Sequence, residues 1–212
     1  MGNENGVNET PLGWLPQALR DGAKVRELGD GEYLFRQGDK ANAIYEIERG
    51  RLTMVRYTSD SRTVIVHTAR QGQLFAEAAL FAQTYHCDGV AAGSTRVRVY
   101  PKERLLAAFN AEPKLALSFT AMLAHEIMAL RARLEVRNVR SARERILQHL
   151  ALIAEAPHVF RLDGTLKDLA AEIGLTHEAF YRALAALEKD AAIERKDDRI
   201  VLIGSDLYVP LK

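Results

Sequence analysis

The chain contains a single cysteine, Cys87, among its 212 residues. One cysteine cannot form an internal disulfide, and it excludes a four-cysteine iron–sulfur cluster and a cysteine-rich zinc site. We therefore predict a cytoplasmic protein, because disulfides are typical of secreted chains. His67 and His125 stand alone, and no His-x-His pair with a following Glu occurs, so we predict no metal site of the cupin type.

Long apolar runs and targeting features are also missing. No run of eighteen apolar residues occurs, so we predict no membrane-spanning helix and no membrane partner. The first ten residues have neither the basic region nor the apolar core of a signal peptide, and we expect them to be mobile. The net charge of +1 excludes a strongly basic, histone-like protein, although six Arg and only two Glu lie between Arg131 and Arg145.

Catalytic signatures are absent as well. The sequence has no Gly-x-Ser-x-Gly elbow, no glycine-rich phosphate loop and no His-Glu-x-x-His motif. We therefore predict no catalytic residue and no enzymatic activity. The length is sufficient for one large domain or two small ones, each with its own core.

Glycine is unevenly distributed, with eleven of fourteen before residue 94 and none from 94 to 163. This distribution predicts a turn-rich β half followed by a helical half, and hence an α+β fold. Residues 12–112 are predicted to form a β-roll, a double-sheet jelly roll or barrel of short strands. The predicted strands are Tyr33–Arg36, Ala43–Glu48, Leu52–Tyr57, Thr63–Thr68 and Thr95–Tyr100, with one of the turns at Ser59-Asp60-Ser61.

A long helix is predicted over residues 113–139, beginning at Pro113 and rich in strong helix formers. Leucine and isoleucine recur along it at the three- and four-residue steps of a coiled-coil seam. The predicted dimer-interface residues are Leu123, Ile127, Leu130 and Leu134. A second apolar stripe of Leu115, Phe119 and Met122 is expected to pack on a neighbouring domain. A long core helix of a single domain remains the alternative.

Residues 140–212 are predicted to form a winged helix-turn-helix. A helix over Arg143–Ala154 is expected to end at Pro157, and a capping box at Thr165–Asp168 is expected to open a short second helix. Gly174 makes a tight turn before a third helix capped by Thr176. The hairpin between residues 193 and 203 has the size of a wing.

In such a motif, the N-terminal residues of the last helix reach base edges in the major groove. Arg182 and Glu178, four residues apart, suit guanine and cytosine respectively. A plain ion pair between them is the alternative. The residues predicted to contact double-stranded DNA are Thr176, His177, Glu178, Tyr181, Arg182 and Lys196, with Arg195 as a further phosphate contact in the wing. A C-terminal domain that binds a protein partner instead of DNA remains open.

This order of elements resembles the cyclic-AMP receptor protein and fumarate–nitrate regulator (Crp/Fnr) family of bacterial transcription factors. The resemblance rests on glycines at the turns of the roll, the segment Phe75–Phe81, and Glu178-x-x-x-Arg182 after Gly174-Leu175-Thr176. It implies a homodimer joined along the long helices, a sensing roll, a DNA-reading head and RNA polymerase as a partner. The roll glycines are Gly38, Gly50 and Gly72.

The resemblance also implies where an effector would bind. Glu77 matches the residue that holds the ribose in cyclic-nucleotide members, and Leu130 and Arg131 fall near the position of the base. The phosphate-binding Arg-Ser pair, however, is replaced here by Cys87-Asp88. A carboxylate at that position repels a phosphate, so the sequence argues against cyclic AMP and leaves the effector unknown.

Cys87 follows His86, a pairing that also suits a haem ligand or a redox-sensitive thiol. A lone cysteine in an apolar strand is as readily explained as a small buried hydrophobic residue. Haem and thiol chemistry at Cys87 therefore stay open alternatives.

Overall fold

The structure is a computed structural model that describes residues 13, 15–57, 63–154, 158–162 and 164–203. The first ten residues, the turn predicted at 59–61 and the helix end predicted at Pro157 lie outside the described residues. The chain forms two compact units, with the boundary between Ala121 and Met122.

The first unit is built on two four-stranded antiparallel sheets, with strand orders β1-β8-β3-β6 and β2-β7-β4-β5. This arrangement confirms the predicted β-roll. Its strands are β1 (Lys24–Leu28), β2 (Tyr33–Phe35), β3 (Ala43–Arg49), β4 (Arg51–Tyr57), β5 (Thr63–Arg70), β6 (Leu74–Phe75), β7 (Asp88–Ala91) and β8 (Thr95–Pro101).

Three of these strands were not predicted from the sequence. β1 is exposed at every position except its last, so it lacks an apolar face. β6 has only two residues, and β7 begins with a buried Asp and a Gly, both of which are depleted in strands. These strands are held by pairing with their neighbours rather than by their own residue pattern.

Aromatic side chains fill the core of the roll. The rings of Phe35 and Tyr85 stack with their centroids 3.8 Å apart, and Phe35 also contacts Tyr45 and Phe75. The two tyrosine hydroxyls lie 3.0 Å apart, and that of Tyr85 donates to the Ala43 carbonyl at 2.8 Å. The buried hydroxyls are therefore paired, as burial of polar groups requires.

The helices of this unit include α1 (Gln17–Asp21), a short 3-10 helix at Glu77–Phe81, α2 (Lys102–Ala111) and the start of α3 (Pro113–Asn138). Leu115 and Phe119 are buried, and the Phe119 ring lies 5.3 Å from that of Phe109 on α2. Two residues of the predicted second stripe thus pack as expected, while the third, Met122, is half-buried.

The predicted dimer seam of α3 is largely uncovered in the single chain. Ile127, Leu130 and Leu134 are exposed, and Leu123 is half-buried. Among the described residues, α3 is also the one helix long and apolar enough to cross a membrane, with a mean hydropathy of 1.3 over eighteen residues. Length and composition alone do not distinguish a membrane span from a helix that pairs with another helix.

The second unit contains α4 (Ala142–Ile153), α5 (Leu166–Glu172) and α6 (His177–Lys189), together with a small antiparallel sheet. The sheet has the order β10-β11-β9, formed by β9 (Val159–Arg161), β10 (Ile193–Lys196) and β11 (Arg199–Leu202). The predicted wing hairpin is therefore present, with a third strand that the sequence pattern did not indicate. All three helices and the sheet contribute to one apolar core.

Gly89 provides a test of the packing inside the roll. A Cβ atom there would lie 2.7 Å from the Phe35 ring, so Gly89→Ala is expected to lower the free energy of unfolding by about 1–3 kcal/mol through overpacking. The matched control is Gly29→Ala, whose Cβ would meet only the Glu32 carboxylate, at 4.0 Å. Urea unfolding of both variants measures the difference, and equal midpoints would contradict the close packing.

Candidate nucleic-acid interface

The turn between α5 and α6 depends on Gly174. Its φ of +68° lies in the left-handed region, which favours glycine. A Cβ at this position would also lie 3.2 Å from the Arg137 guanidinium. The turn is closed by a hydrogen bond from the Leu175 N–H to the Ala170 carbonyl at 2.9 Å. This geometry sets the angle between the two helices.

Both helices begin with the caps that the sequence predicted. At the start of α5, the Thr165 hydroxyl accepts from the Asp168 N–H at 3.1 Å, and the Asp168 carboxylate accepts from the Thr165 N–H at 3.0 Å. At the start of α6, the Thr176 hydroxyl accepts from the Ala179 N–H at 3.2 Å. The caps fix the first residues of α6 at the surface.

Helix α6 has two contrasting faces. Phe180, Ala183, Leu184 and Leu187 are buried in the core of the second unit. The opposite face is exposed at its N-terminal end and carries the five predicted helix contacts, Thr176, His177, Glu178, Tyr181 and Arg182. The structure therefore gathers these five residues on one solvent-facing surface, which we call the reading face.

Charge on the reading face is arranged around the helix N-terminus. The carboxylate of Glu178 accepts hydrogen bonds from its own backbone N–H and from the Thr176 hydroxyl, and these bonds lower its pKa. The nearby charge of Arg182 acts in the same direction. Within the described part of the chain, however, Arg182 has no ion-pair partner, so its guanidinium is available to an external acceptor.

The reading face also carries two aromatic rings. The His177 and Tyr181 rings are tilted by 42°, with their centroids 4.3 Å apart, and Tyr181 keeps 40% of its surface exposed. This contact restricts the tyrosine ring, which still remains partly open to solvent.

The wing carries several positive charges with different surroundings. The Arg195 Nε donates to the Glu188 carboxylate on α6 at 2.6 Å, and this contact ties the wing to the reading helix. The Lys196 Nζ lies 3.0 Å from Glu194, and its side chain is mostly exposed. Asp197 makes the wing turn with a φ of +50°. Of the two predicted phosphate contacts, Lys196 is thus the more accessible.

The predicted effector residues have separate surroundings. In the first unit, Glu77 is half-buried at the start of the 3-10 helix, while Cys87 and Asp88 are buried where β7 begins. In the second unit, Leu130 and Arg131 are exposed on α3. The Asp88 carboxylate accepts from the Gln37 N–H at 2.6 Å, so it has a structural role that the sequence did not indicate.

A cleft of about 810 Å³ opens elsewhere on the first unit, between the end of β8, the start of α2 and the loop around Gln83. None of Glu77, Cys87 and Asp88 lines it. Among the described residues, no group of three or more His, Cys, Asp or Glu side chains is placed to hold a metal ion.

Two arginines, Arg137 and Arg145, lie against the turn at Gly174. The sequence placed Arg137 at the end of the seam spacing, and it marked Arg145 only as part of the arginine-rich stretch from residue 131 to 145. Charge density alone did not reveal which atoms they would contact.

The described chain combines a roll, a long helix and a winged helix-turn-helix in two compact units. Residues 25–112 match the family model of the cyclic nucleotide-binding domain. The chain is 23% identical over 187 residues to the electron transport regulator A of Shewanella oneidensis, covering 85% of this chain and 75% of that protein. It is also 23% identical over 205 residues to the fumarate and nitrate reduction regulatory protein of Vibrio cholerae, covering 93% of this chain and 81% of that protein.

The structure of FixK2 from Bradyrhizobium japonicum shares the fold, with a TM-score of 0.73, 21% identity and coverage of 86% of this chain and 93% of that one. These matches confirm the resemblance found in the sequence. Over most of its length the chain is thus similar to transcriptional regulators of the Crp/Fnr family.

The position of Asp88 leads to a prediction about cyclic AMP. The resemblance places the buried Asp88 carboxylate at the position of the family's phosphate partner, where it should repel the nucleotide, so millimolar cyclic AMP is expected to leave the melting temperature unchanged. A ligand present at a hundredfold excess over its Kd would stabilise the protein by about 2.7 kcal/mol. Calorimetry is the second measurement. Saturable binding of cyclic AMP at micromolar concentrations would contradict this role of Asp88.

Proposed function

We propose that this regulator acts as a cytoplasmic homodimer that binds a palindromic DNA site in a sequence-specific way. The observation that carries the proposal is the reading face. Five residues suited to base and phosphate contacts are exposed along one side of α6, and the other side is anchored in the core. A helix held in this way presents its N-terminal residues to the major groove.

Each residue of the reading face has a role that follows from its chemistry. Arg182, which has no ion-pair partner in the described part of the chain, bonds guanine through O6 and N7. Glu178, with its lowered pKa, is ionised at neutral pH and accepts from a cytosine amine. His177 and Tyr181, whose rings are in contact, face the neighbouring bases, and Thr176 lies at the phosphate side of the helix N-terminus.

The wing supplies a contact that does not depend on sequence. Lys196 is exposed, so its ammonium reaches a phosphate with the loss of one surface ion pair, to Glu194. Arg195 contributes indirectly, because its bond to Glu188 keeps the wing in a fixed position relative to α6. Phosphate contacts orient the protein on the duplex, and base contacts select the sequence.

The exposed seam of α3 supports the dimer. An apolar stripe at coiled-coil spacing is stabilised by burial against an identical stripe, and the two-fold symmetry of such a pair matches a palindromic site. Two reading faces then enter successive major grooves, about 34–36 Å apart. A soluble dimer also accounts for the apolar character of α3 without a membrane.

The roll is proposed to receive a signal that changes how the two α3 helices pack. The effector is not cyclic AMP in this proposal, because Asp88 occupies the phosphate position. RNA polymerase is the expected protein partner at the promoter, in keeping with the family.

The dimer predicts the effect of a charge in the seam. Leu130→Glu places two like charges across an apolar contact, and it is expected to raise the dimer dissociation constant roughly a hundredfold, equivalent to about 3 kcal/mol. Met128→Glu is the control, because Met128 is also exposed on α3 but lies outside the seam. Sedimentation velocity across a concentration series distinguishes them, and equal dissociation constants for the two variants would contradict the seam.

Substitutions in the reading face and in the wing are expected to weaken DNA binding in two different ways. Arg182→Ala is expected to cost about 1–3 kcal/mol on the selected site and to remove discrimination at one G·C pair in each half-site. Lys196→Ala should weaken binding to every duplex alike. It should also reduce by about one the slope of the logarithm of the binding constant against the logarithm of the salt concentration. Titrations against selected and scrambled duplexes at several salt concentrations measure both effects.

An equal loss on every duplex for Arg182→Ala, or no loss at all, would contradict its base-reading role. If the unchanged protein bound no duplex in preference to another, the proposal of sequence-specific binding would itself fail.

A further inference from the structure

The connection between the end of α3 and the reading head depends on Arg145, a half-buried residue on α4. Its Nε and Nη2 donate to the carbonyl of Val139, the first residue after α3, at 2.8 and 2.5 Å. Its Nη1 donates to the Gly174 carbonyl at 3.2 Å and to the Ile173 carbonyl at 3.5 Å. One guanidinium thus bonds carbonyls at the C-terminal ends of two different helices.

Arginine is suited to this position for two physical reasons. Its planar group has five donors in a fixed geometry, so it can bond two separate acceptors simultaneously, whereas lysine concentrates its charge on a single nitrogen. The C-terminal ends of α3 and α5 also carry partial negative charge from their unpaired carbonyls, and a half-buried cation between them is favourable.

A second arginine lies against the same turn. The Arg137 guanidinium is placed 3.2 Å from the position that a Cβ of Gly174 would occupy, and Arg137 belongs to the last turn of α3. The Gly174 turn is therefore in contact with the end of α3 through Arg137 and with the residue after it through Arg145. Both contacts lie within the second unit, so the turn of its helix-turn-helix is held against the end of α3 and the residue that follows it.

We propose that Arg145 is a positioning residue that makes the end of α3 and the turn of the reading head move as one body. This inference rests on the proposed function, in which packing of the α3 pair sets the separation of two reading faces. A rigid connection at the turn converts a rotation of α3 into the same rotation of α6. Without it, each head pivots at the linker around Val139, and the separation of the heads is no longer defined.

The test compares Arg145→Lys and Arg145→Gln with the unchanged full-length protein. Arg143→Gln is the matched control, because Arg143 lies on the same helix but is exposed and pairs with Asp190 instead of the turn. It removes one positive charge without touching Val139 or Gly174. Circular dichroism confirms folding, and Arg145→Lys, which keeps the charge and the aliphatic stem, serves if Arg145→Gln unfolds.

The first measurement is amide hydrogen exchange, which needs no DNA. Both Arg145 variants are expected to exchange faster at residues 137–140 and at 173–176 together, because local opening follows the loss of bonds that hold a segment closed. The Arg143→Gln control should match the unchanged protein in both segments. Unchanged exchange in a folded Arg145 variant, or a change in one segment only, would overturn the proposed connection.

The second measurement is binding to palindromic duplexes whose half-sites lie at the selected separation or one base pair nearer or farther. In the Arg145 variants, the ratio of affinities for the selected and the altered separations is expected to fall by roughly 2- to 30-fold. Discrimination at the G·C pair read by Arg182 should stay intact. A merely destabilising change would reduce binding to all duplexes in the same proportion. An unaltered spacing preference would overturn the positioning role.

The two measurements also separate this inference from the proposed function. If the unchanged protein showed no preference among duplexes, sequence-specific binding would fail, and the exchange data would still decide whether Arg145 joins the two segments.

Discussion

Burial of one face of α6 is the constraint on which the second unit depends. Phe180, Leu184 and Leu187 are almost completely buried, and together they contribute several kcal/mol of hydrophobic stabilisation, at about 1.5–3 kcal/mol for each fully buried side chain. Because the helix is fixed by that face, the opposite face cannot turn inward. The exposed row from Thr176 to Arg182 is therefore a consequence of the core, and its position is as well determined as the core itself.

Much of this arrangement could be predicted from the sequence, because it is encoded locally. The threonine caps, the glycine turn and the three- and four-residue spacing of apolar residues each involve neighbours in the chain, and all were placed correctly. The strands β1 and β7 could not be predicted in this way, because each is held by a strand far away in sequence. β1 pairs with β8, and β7 pairs with β4. A regular spacing of apolar residues indicates which face of a helix or strand is buried. These two strands have no regular apolar face.

Polar contacts were the least predictable part of the candidate site. Arg195 was expected at a phosphate, but its guanidinium is bonded to Glu188. Asp88 was expected beside an effector, and its carboxylate accepts a backbone N–H in the roll. A long side chain can reach several partners, and residue type alone does not select among them. The roles of Arg182 and Lys196 on DNA therefore remain predictions, although their exposure agrees with them.

The third strand of the wing sheet has a consequence for how the reading head forms. β9 pairs with β11, joining Arg161 to Arg199, and the chain between these two residues includes both helices of the helix-turn-helix. That stretch is thus a closed loop of about forty residues, whose ends meet only at an entropic cost that the enclosed helices must offset. Contacts so distant in sequence form slowly. The wing and the helices it encloses should consequently fold and unfold in one cooperative step, so a chain cut within the loop would lose the wing and the reading helix together.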